Sequence, residues 1–476
     1  MTRNVVLTLG ILFSFYSCEQ DVSLVTESAH DLPLPRWAEA AVMYEVNTRN
    51  ITAEGTFNAF KSHLPRLKSL GIDIVLMTPI HPISLKKRKT QNKSQTTLTS
   101  EQSEEKRVYG NPYSVADYNM VNPHLGTMED FKSVVADAHR RQMRVIIDWV
   151  PRHTGLEHKW RTQHPEWYIT DKRGNITESI IPDIGTNYGG TDIALLNYDN
   201  QNMKAAMIAA MKYWVIEADI DGFRIDMAHD IPNDFWSQMK TEFLKLPKEV
   251  FILADSEVAY HRNSGAFHAT YGWSFYRLAN DIAQGSKSVK DIKKWLKKDR
   301  KKYKKGFGLN FTSSHGKRST TETAVERMGK AHHAMAVMAA TIDGMPLLNN
   351  GQEIPLEHKI SLSEKDTISW HTINYQEFYK SLFEFKGECT ALRNKGGAEL
   401  EFISKSNEVL AFRKQNSYDD VVVIINLTDQ TQKYSLNVNF KYFRNIHTNN
   451  LVDAIAGEER EIEAWKYYVL DGSYGR

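Results

Sequence analysis

Short apolar runs alternate with longer stretches of helical period through the middle of the chain. Residues 41–49 form a β-rich run, and 72–80 (IDIVLMTPI) form another after a helical pattern that ends at Gly71. Run 144–151 (RVIIDWVP) follows a helical stretch over 127–142. Runs 221–226 (DGFRID), 250–257 (VFILADSE), 308–315 (GLNFTSSH) and 345–353 (MPLLNNGQE) continue the series, with helical stretches such as 201–218 and 326–341 between them. Strand followed by helix, repeated, predicts a parallel sheet covered by helices, an α/β fold. Seven clear strands and a weaker one near 269–276 predict a (β/α)8 TIM barrel. An open, doubly wound sheet is the alternative, and the lack of a glycine-rich phosphate loop after the first strand speaks against it.

Three segments break the rhythm. Residues 84–107 (SLKKRKTQNKSQTTLTSEQSEEKR) are polar and charged, which predicts an extended, mobile loop. Residues 153–200, with Trp160, Trp167 and Tyr168, form an excursion between the third strand and its helix, expected to be a small inserted domain. Residues 398–476 carry short alternating strands at 409–413, 421–427 and 433–438, which predicts a C-terminal all-β sandwich domain. The barrel is thus expected over 37–397.

The beginning of the chain reads differently. A basic start at 1–4 precedes an almost wholly apolar run at 5–16, too short to span a bilayer as a folded helix but suited to an export signal. Phe15-Tyr16-Ser17-Cys18 then resembles a relaxed bacterial lipobox, with Cys18 as the lipid-modified first residue of the mature chain. Ordinary secretory cleavage nearby is the alternative. Residues 19–36, with Pro33 and Pro35, read as a tether. The expectation is an exported lipoprotein, periplasmic or on the cell surface, held to a membrane through Cys18. Two cysteines do not make a disulfide scaffold, and Cys389 is expected to pack in a core. Across 476 residues, 60 Lys+Arg nearly balance 58 Asp+Glu, so nothing points to a nucleic-acid partner. The lysine-rich stretch 293–305 (KKWLKKDRKKYKK) reads as a solvated helix face.

In such a barrel the chemistry sits at the C-terminal ends of the strands. The third strand ends on Asp148 and runs on to Arg152 and His153; the fourth carries Arg224 and Asp226; the fifth ends Asp255-Ser256-Glu257; the seventh ends on Ser314-His315. Two carboxylates on neighbouring strand ends approach to ~5 Å, the separation that retaining glycosidases use. Arg224 beside Asp226 favours the ionised form that a nucleophile needs. Trp149, Trp214 and Trp273 are expected in the core, and Trp160 and Trp167 as candidate sugar-stacking platforms.

These residues resemble the signatures of the α-amylase family, glycoside hydrolase family 13. Gly222-Phe223-Arg224-Ile225-Asp226 is similar to the second signature, and 148–153 to the first. Residues 111–118 (NPYSVADY) resemble the loop whose tyrosine stacks on the sugar, 310–315 the fourth signature, and Met345-Pro346 with Gly351-Gln352-Glu353 the eighth strand. The resemblance implies a retaining mechanism on α-glucan or malto-oligosaccharide. Asp226 is the implied nucleophile, Arg224 its orienting partner, and His153 and His315 hydrogen-bond sugar hydroxyls. Tyr113 stacks on the ring.

Three positions depart from the family pattern. Asp255 stands where the family has its general-acid Glu, one methylene short, with Glu257 two residues on as a possible substitute. A reach shorter by ~1 Å is a misplacement that costs ~10²-fold. Gly316 stands where the family has its third carboxylate, an electrostatic stabiliser worth ~3–4 kcal/mol. Arg152 replaces an Asn that is often a calcium ligand, which argues against calcium, and no other cofactor is expected. Arg152, Lys317 and Arg318 either add positive charge near a transition state that is itself positive or point to solvent or to surface acids, the latter being favoured for Lys317 and Arg318. The sequence therefore predicts weak or impaired catalysis. A non-catalytic glycan-binding pseudoenzyme and a protein-interaction module are the alternatives.

Overall fold

The computed structural model describes residues 30–85, 110–177, 192–315, 322–356, 360–361, 366–370 and 375–473. The expected export signal, Cys18, nearly all of the segment 84–107 read as a loop, Gly316, Lys317 and Arg318 lie outside the described residues.

Eight strands close on themselves: β1 (Met43–Val46), β2 (Ile74–Met77), β3 (Arg144–Trp149), β4 (Gly222–Ile225), β5 (Phe251–Ala254), β6 (Ala269–Tyr271), β7 (Phe307–Phe311) and β8 (Met345–Asn349). All pair in parallel, and β8 returns to β1 with Leu347 opposite Met43. The predicted barrel is present, its weak strand is β6, and closure rules out the open sheet. Side chains alternate along each strand, so two apolar sets form. Met43, Leu76, Ile146, Leu253, Leu309 and Leu347 belong to one cluster, which fills the lumen. Val42, Val75, Ile147, Phe223 and Ile252 join the larger cluster beneath the outer helices. Gly222 is required where β4 meets β5, because a Cβ there would lie 2.1 Å from the carbonyl oxygen of Phe251.

The helix Met128–Arg140 illustrates how the outer layer is specified. Thr127 and Asp130 form a capping box at its start, worth ~1 kcal/mol. Phe131, Val134, Val135 and Ala138, at helical spacing, face the barrel. The excursion after β3 contains an antiparallel pair, His153–Gly155 with Ile193–Leu195. Trp160 and Trp167 are no sugar platforms: both are buried, with ring centroids 5.1 Å apart at 80°, and His164 stacks on Trp167. A tryptophan pair that covers its own short segment has no face left for a ligand.

The C-terminal part has eight strands: β9 (Leu400–Phe402), β10 (Val409–Gln415), β11 (Asp420–Asn426), β12 (Gln432–Tyr434), β13 (Phe440–Asn445), β14 (Leu451–Ala454), β15 (Arg460–Ile462) and β16 (Tyr467–Asp471). Six form an antiparallel sheet in the order β9-β10-β11-β16-β13-β14, and β12 pairs with β15. Strand β11 is buried on both sides. Val421, Val423 and Ile425 join the barrel's outer core, whereas Val422 and Ile424 face the small domain's own core. Cys389 is buried beside this junction, and burial pushes its thiol up to about 11.

Candidate active site

Strand parity decides which polar groups enter the barrel mouth. Glu45 shares its side with Met43, Asp148 with Ile146, and Arg224 with Gly222. Asp226 and Asp255 fall one residue past their strands but stay on the ladder. The amide of Asp226 donates to Trp149 O at 2.8 Å and that of Asp255 to Ile225 O at 2.9 Å. The polar residues at these strand ends therefore converge.

Arg224 is the hub. Its Nη1 donates to Asp148 Oδ1 and to Asp226 Oδ1, both at 2.7 Å, and its Nη2 to Asp255 Oδ2 at 2.6 Å. The guanidinium is 3% exposed and lies over the Tyr271 ring at 5.3 Å. Asp255 Oδ1 accepts from Trp273 Nε1 at 2.8 Å. Tyr113 Oη donates to Asp148 Oδ2 at 2.9 Å and lies 2.5 Å from His315 Nε2. His315 is held from behind by Glu45: its amide reaches Oε2 at 2.7 Å and its Nδ1 reaches Oε1 at 2.6 Å. Tyr271 Oη also donates to Glu45 Oε1, at 3.0 Å.

Charge follows from this wiring. Burial favours neutral forms. For His315 the Glu45 carboxylate outweighs burial and raises its pKa. Glu45, buried as it is, is lowered by His315. The imidazolium this favours donates one N–H to Glu45 and the other to Tyr113 Oη. Four carboxylates (Glu45, Asp148, Asp226, Asp255) thus face two cations, and the excess is negative. Burial pushes Asp148 up to about 7 despite Arg224, with Asp226 adding to the rise. Asp226 is raised too, by burial first and then by Asp255 against the pull of Arg224. The sign for stability is clear. The folded form keeps a proton on Asp148 that the unfolded chain releases above its ordinary range near 3.8. Stability is undiminished below that range and falls as pH rises through about 7. Asp148→Asn should flatten this slope, by on the order of 1 kcal/mol or more between about pH 5 and about pH 8, read from urea midpoints.

Met227, directly after Asp226, has φ 47°, a left-handed conformation that a non-glycine residue holds only under constraint. The short 3-10 turn Ala228–Asp230 follows, and Arg152 Nε meets Asp230 Oδ2 at 3.1 Å. Of the two placements the sequence left open for Arg152, the structure shows the pairing with an acid: its charge is matched by Asp230, on the turn after Asp226, and not turned into the pocket. A guanidinium seated there does not fit calcium ligation, and no group of three or more His, Cys, Asp or Glu among the described residues could hold a metal.

The remaining sequence candidates divide. His153 is buried, its Nε2 lies 2.9 Å from Tyr113 O, and burial lowers its pKa to about 4, so it is neutral. Glu257 does not join the cluster, and so does not serve as a substitute acid in this arrangement. Its Oε1 accepts from the Ser274 amide at 2.6 Å, at the start of the helix Trp273–Ala283, and Oε2 from Arg277 at 3.1 Å. Parity holds only while the chain is a strand, and β5 ends at Ala254. Trp273, expected in the core, is half-buried and touches Asp255. Glu45 and Tyr271 were missed altogether. A lone carboxylate inside the apolar run Val42-Met43-Tyr44-Glu45-Val46 was the signal available for Glu45.

A closed parallel barrel with this carboxylate, arginine and histidine cluster at its C-terminal mouth has the layout of a TIM-barrel enzyme site. Residues 23–181 and 187–395 match the alpha-amylase family, catalytic domain, and the chain belongs to that family. It is 23% identical over 463 residues to Alpha-amylase 2 of Dictyoglomus thermophilum, covering 89% of this chain and 76% of that protein. It is 31% identical over 209 residues to the alpha-1,4-glucan:maltose-1-phosphate maltosyltransferase of Arcanobacterium haemolyticum, of which it spans only 28%. The maltogenic alpha-amylase structure from Thermotoga neapolitana superposes with a TM-score of 0.77 at 22% identity, covering 91% of this chain and 98% of that one. An alpha-amylase structure from Lactobacillus plantarum gives 0.75 at 22% identity, with 91% and 99% covered. At these identities the two structures bear on the fold alone.

Proposed function

We propose that this chain is an α-glucan-processing enzyme with a retaining nucleophile, Asp226, and a general acid disabled at Asp255. The observation that carries the reading is the engagement of Asp255. Both its oxygens already accept, one from Arg224 and one from Trp273. A general acid must hold a proton on an oxygen aimed at the leaving group. The anionic excess of the cluster still suits an oxocarbenium-like transition state, so the loss falls on leaving-group departure rather than on attack. Gly316 adds to the impairment by removing a further stabilising carboxylate.

General acids contribute ~10²–10⁴-fold, and a substrate whose leaving group departs without a proton escapes that loss. α-Maltosyl fluoride should accordingly be turned over at least ~10²-fold faster than a malto-oligosaccharide of equal length. Comparable rates on the two substrates would sink the idea of a disabled acid. Turnover of neither, with malto-oligosaccharide still bound in calorimetry, would make the chain a non-catalytic glycan binder. The same reading places the protein outside the cytoplasm, with Cys18 lipid-modified after removal of residues 1–17.

A further inference from the structure

The helix Val289–Lys302 packs through Val289, Ile292 and Leu296. Its opposite face is a continuous stripe of exposed lysines, Lys290, Lys294, Lys297, Lys298 and Lys301, and none of these has an ion pair or side-chain hydrogen bond among the described residues. Residues 289–305 hold ten basic and two acidic side chains, whereas the whole chain has a net charge of only +2. The positive charge is concentrated on this one element, and the rest of the protein is net acidic.

The end of the helix meets the start of the described chain. Lys305 Nζ lies 2.8 Å from Asp31, the Leu32 amide donates to Gly265 O at 2.9 Å, and His268 Nε2 lies 3.1 Å from Pro33 O. His268 immediately precedes β6, so residues 31–33 cross the N-terminal face of the barrel, opposite the catalytic mouth. Only twelve residues separate Cys18 from Asp31. At ~3.5 Å each, that length reaches at most about 45 Å. A lipid at Cys18 would therefore keep residues 31–33 and the end of the lysine helix within that distance of the bilayer.

We propose that the lysine face of this helix rests on an anionic lipid surface, which lays the barrel wall between β6 and β7 against the membrane. The role of the tether depends on the reading of Cys18 as the lipid-modified residue; the charge complementarity does not. Each lysine near an anionic bilayer multiplies partitioning by about fivefold, and salt screens the effect.

The test uses the lipid-free chain lacking residues 1–18, which leaves every described residue in place. Sedimentation with vesicles of phosphatidylcholine containing phosphatidylglycerol should show binding that weakens with salt, and pure phosphatidylcholine vesicles should show none. A variant with Lys290→Glu, Lys294→Glu, Lys297→Glu and Lys301→Glu should bind at least ~100-fold more weakly. A control with Lys172→Glu, Lys330→Glu, Lys405→Glu and Lys441→Glu has the same net charge and alters exposed lysines elsewhere. It should lose at most a few-fold. Equal losses in the two variants, undiminished binding by the helix variant, or tighter binding to duplex DNA than to anionic vesicles would overturn the proposal. Far-ultraviolet circular dichroism confirms that both variants are folded. The lipidation reading fails separately, through an unmodified Cys18 peptide in mass spectrometry of membrane-extracted protein.

Discussion

Asp226→Asn is expected to lower turnover of α-maltosyl fluoride by at least about 10³-fold. In the proposed mechanism the carboxylate attacks the anomeric carbon as fluoride leaves, and an amide at that position is a far poorer nucleophile. The change is nearly isosteric and leaves Arg224 paired with Asp148 and Asp255, so the fold should survive it. The chemical check is direct. A 2-fluoro-maltosyl fluoride should trap a glycosyl adduct on the peptide containing Asp226, and the variant should show none. An adduct on another residue, or unchanged turnover in the variant, would remove Asp226 from the role.

Arg224→Met should produce the largest stability change. Arg224 pairs with three carboxylates while only 3% exposed. Removing one member of a buried ion pair costs ~3–5 kcal/mol, because the remaining charge stays buried without a partner. Here three carboxylates are left with His315 as the only nearby cation among the described residues. Asp148 and Asp226, already raised by burial, then lose the pull of Arg224 and rise further, so the deficit should grow with pH and shrink in acid. Urea denaturation at about pH 5 and about pH 8 measures both effects. A loss under ~1 kcal/mol at the higher pH would mean that water solvates the cluster and that burial overstates its isolation.

Much of this protein was legible before any coordinates. Barrel strands buried on both faces read as apolar runs, and their repetition with helices predicts a parallel sheet. Position at a strand end then nominates Asp148, Arg224, Asp226 and Asp255 without reference to any contact. The C-terminal strands were less visible. β13 and β14 are half-exposed and interrupted by a bulge, so their sequence lacks the continuous apolar signal that marks β11.

The errors share a cause. Glu257 was nominated by extending period-two alternation beyond Ala254, where the strand has already ended. Trp160 and Trp167 were nominated as platforms because aromatic residues in an excursion look available, yet their rings cover each other. For Arg152 the sequence left the pocket and an acidic partner both open, and only the structure shows its side chain turned to Asp230.

Sequence by itself determined the kind of fold, the strand ends and the identity of the residues at 255 and 316, because those depend on residue type and local period. Tertiary structure alone decided which groups share a proton and a partner. Glu45 and His315 are 270 residues apart in the chain and 2.6 Å apart in space. Arg224 gathers carboxylates from three strands, and Trp273 takes the last free oxygen of Asp255. Barrel closure creates those contacts, and no local pattern encodes a distance across the lumen.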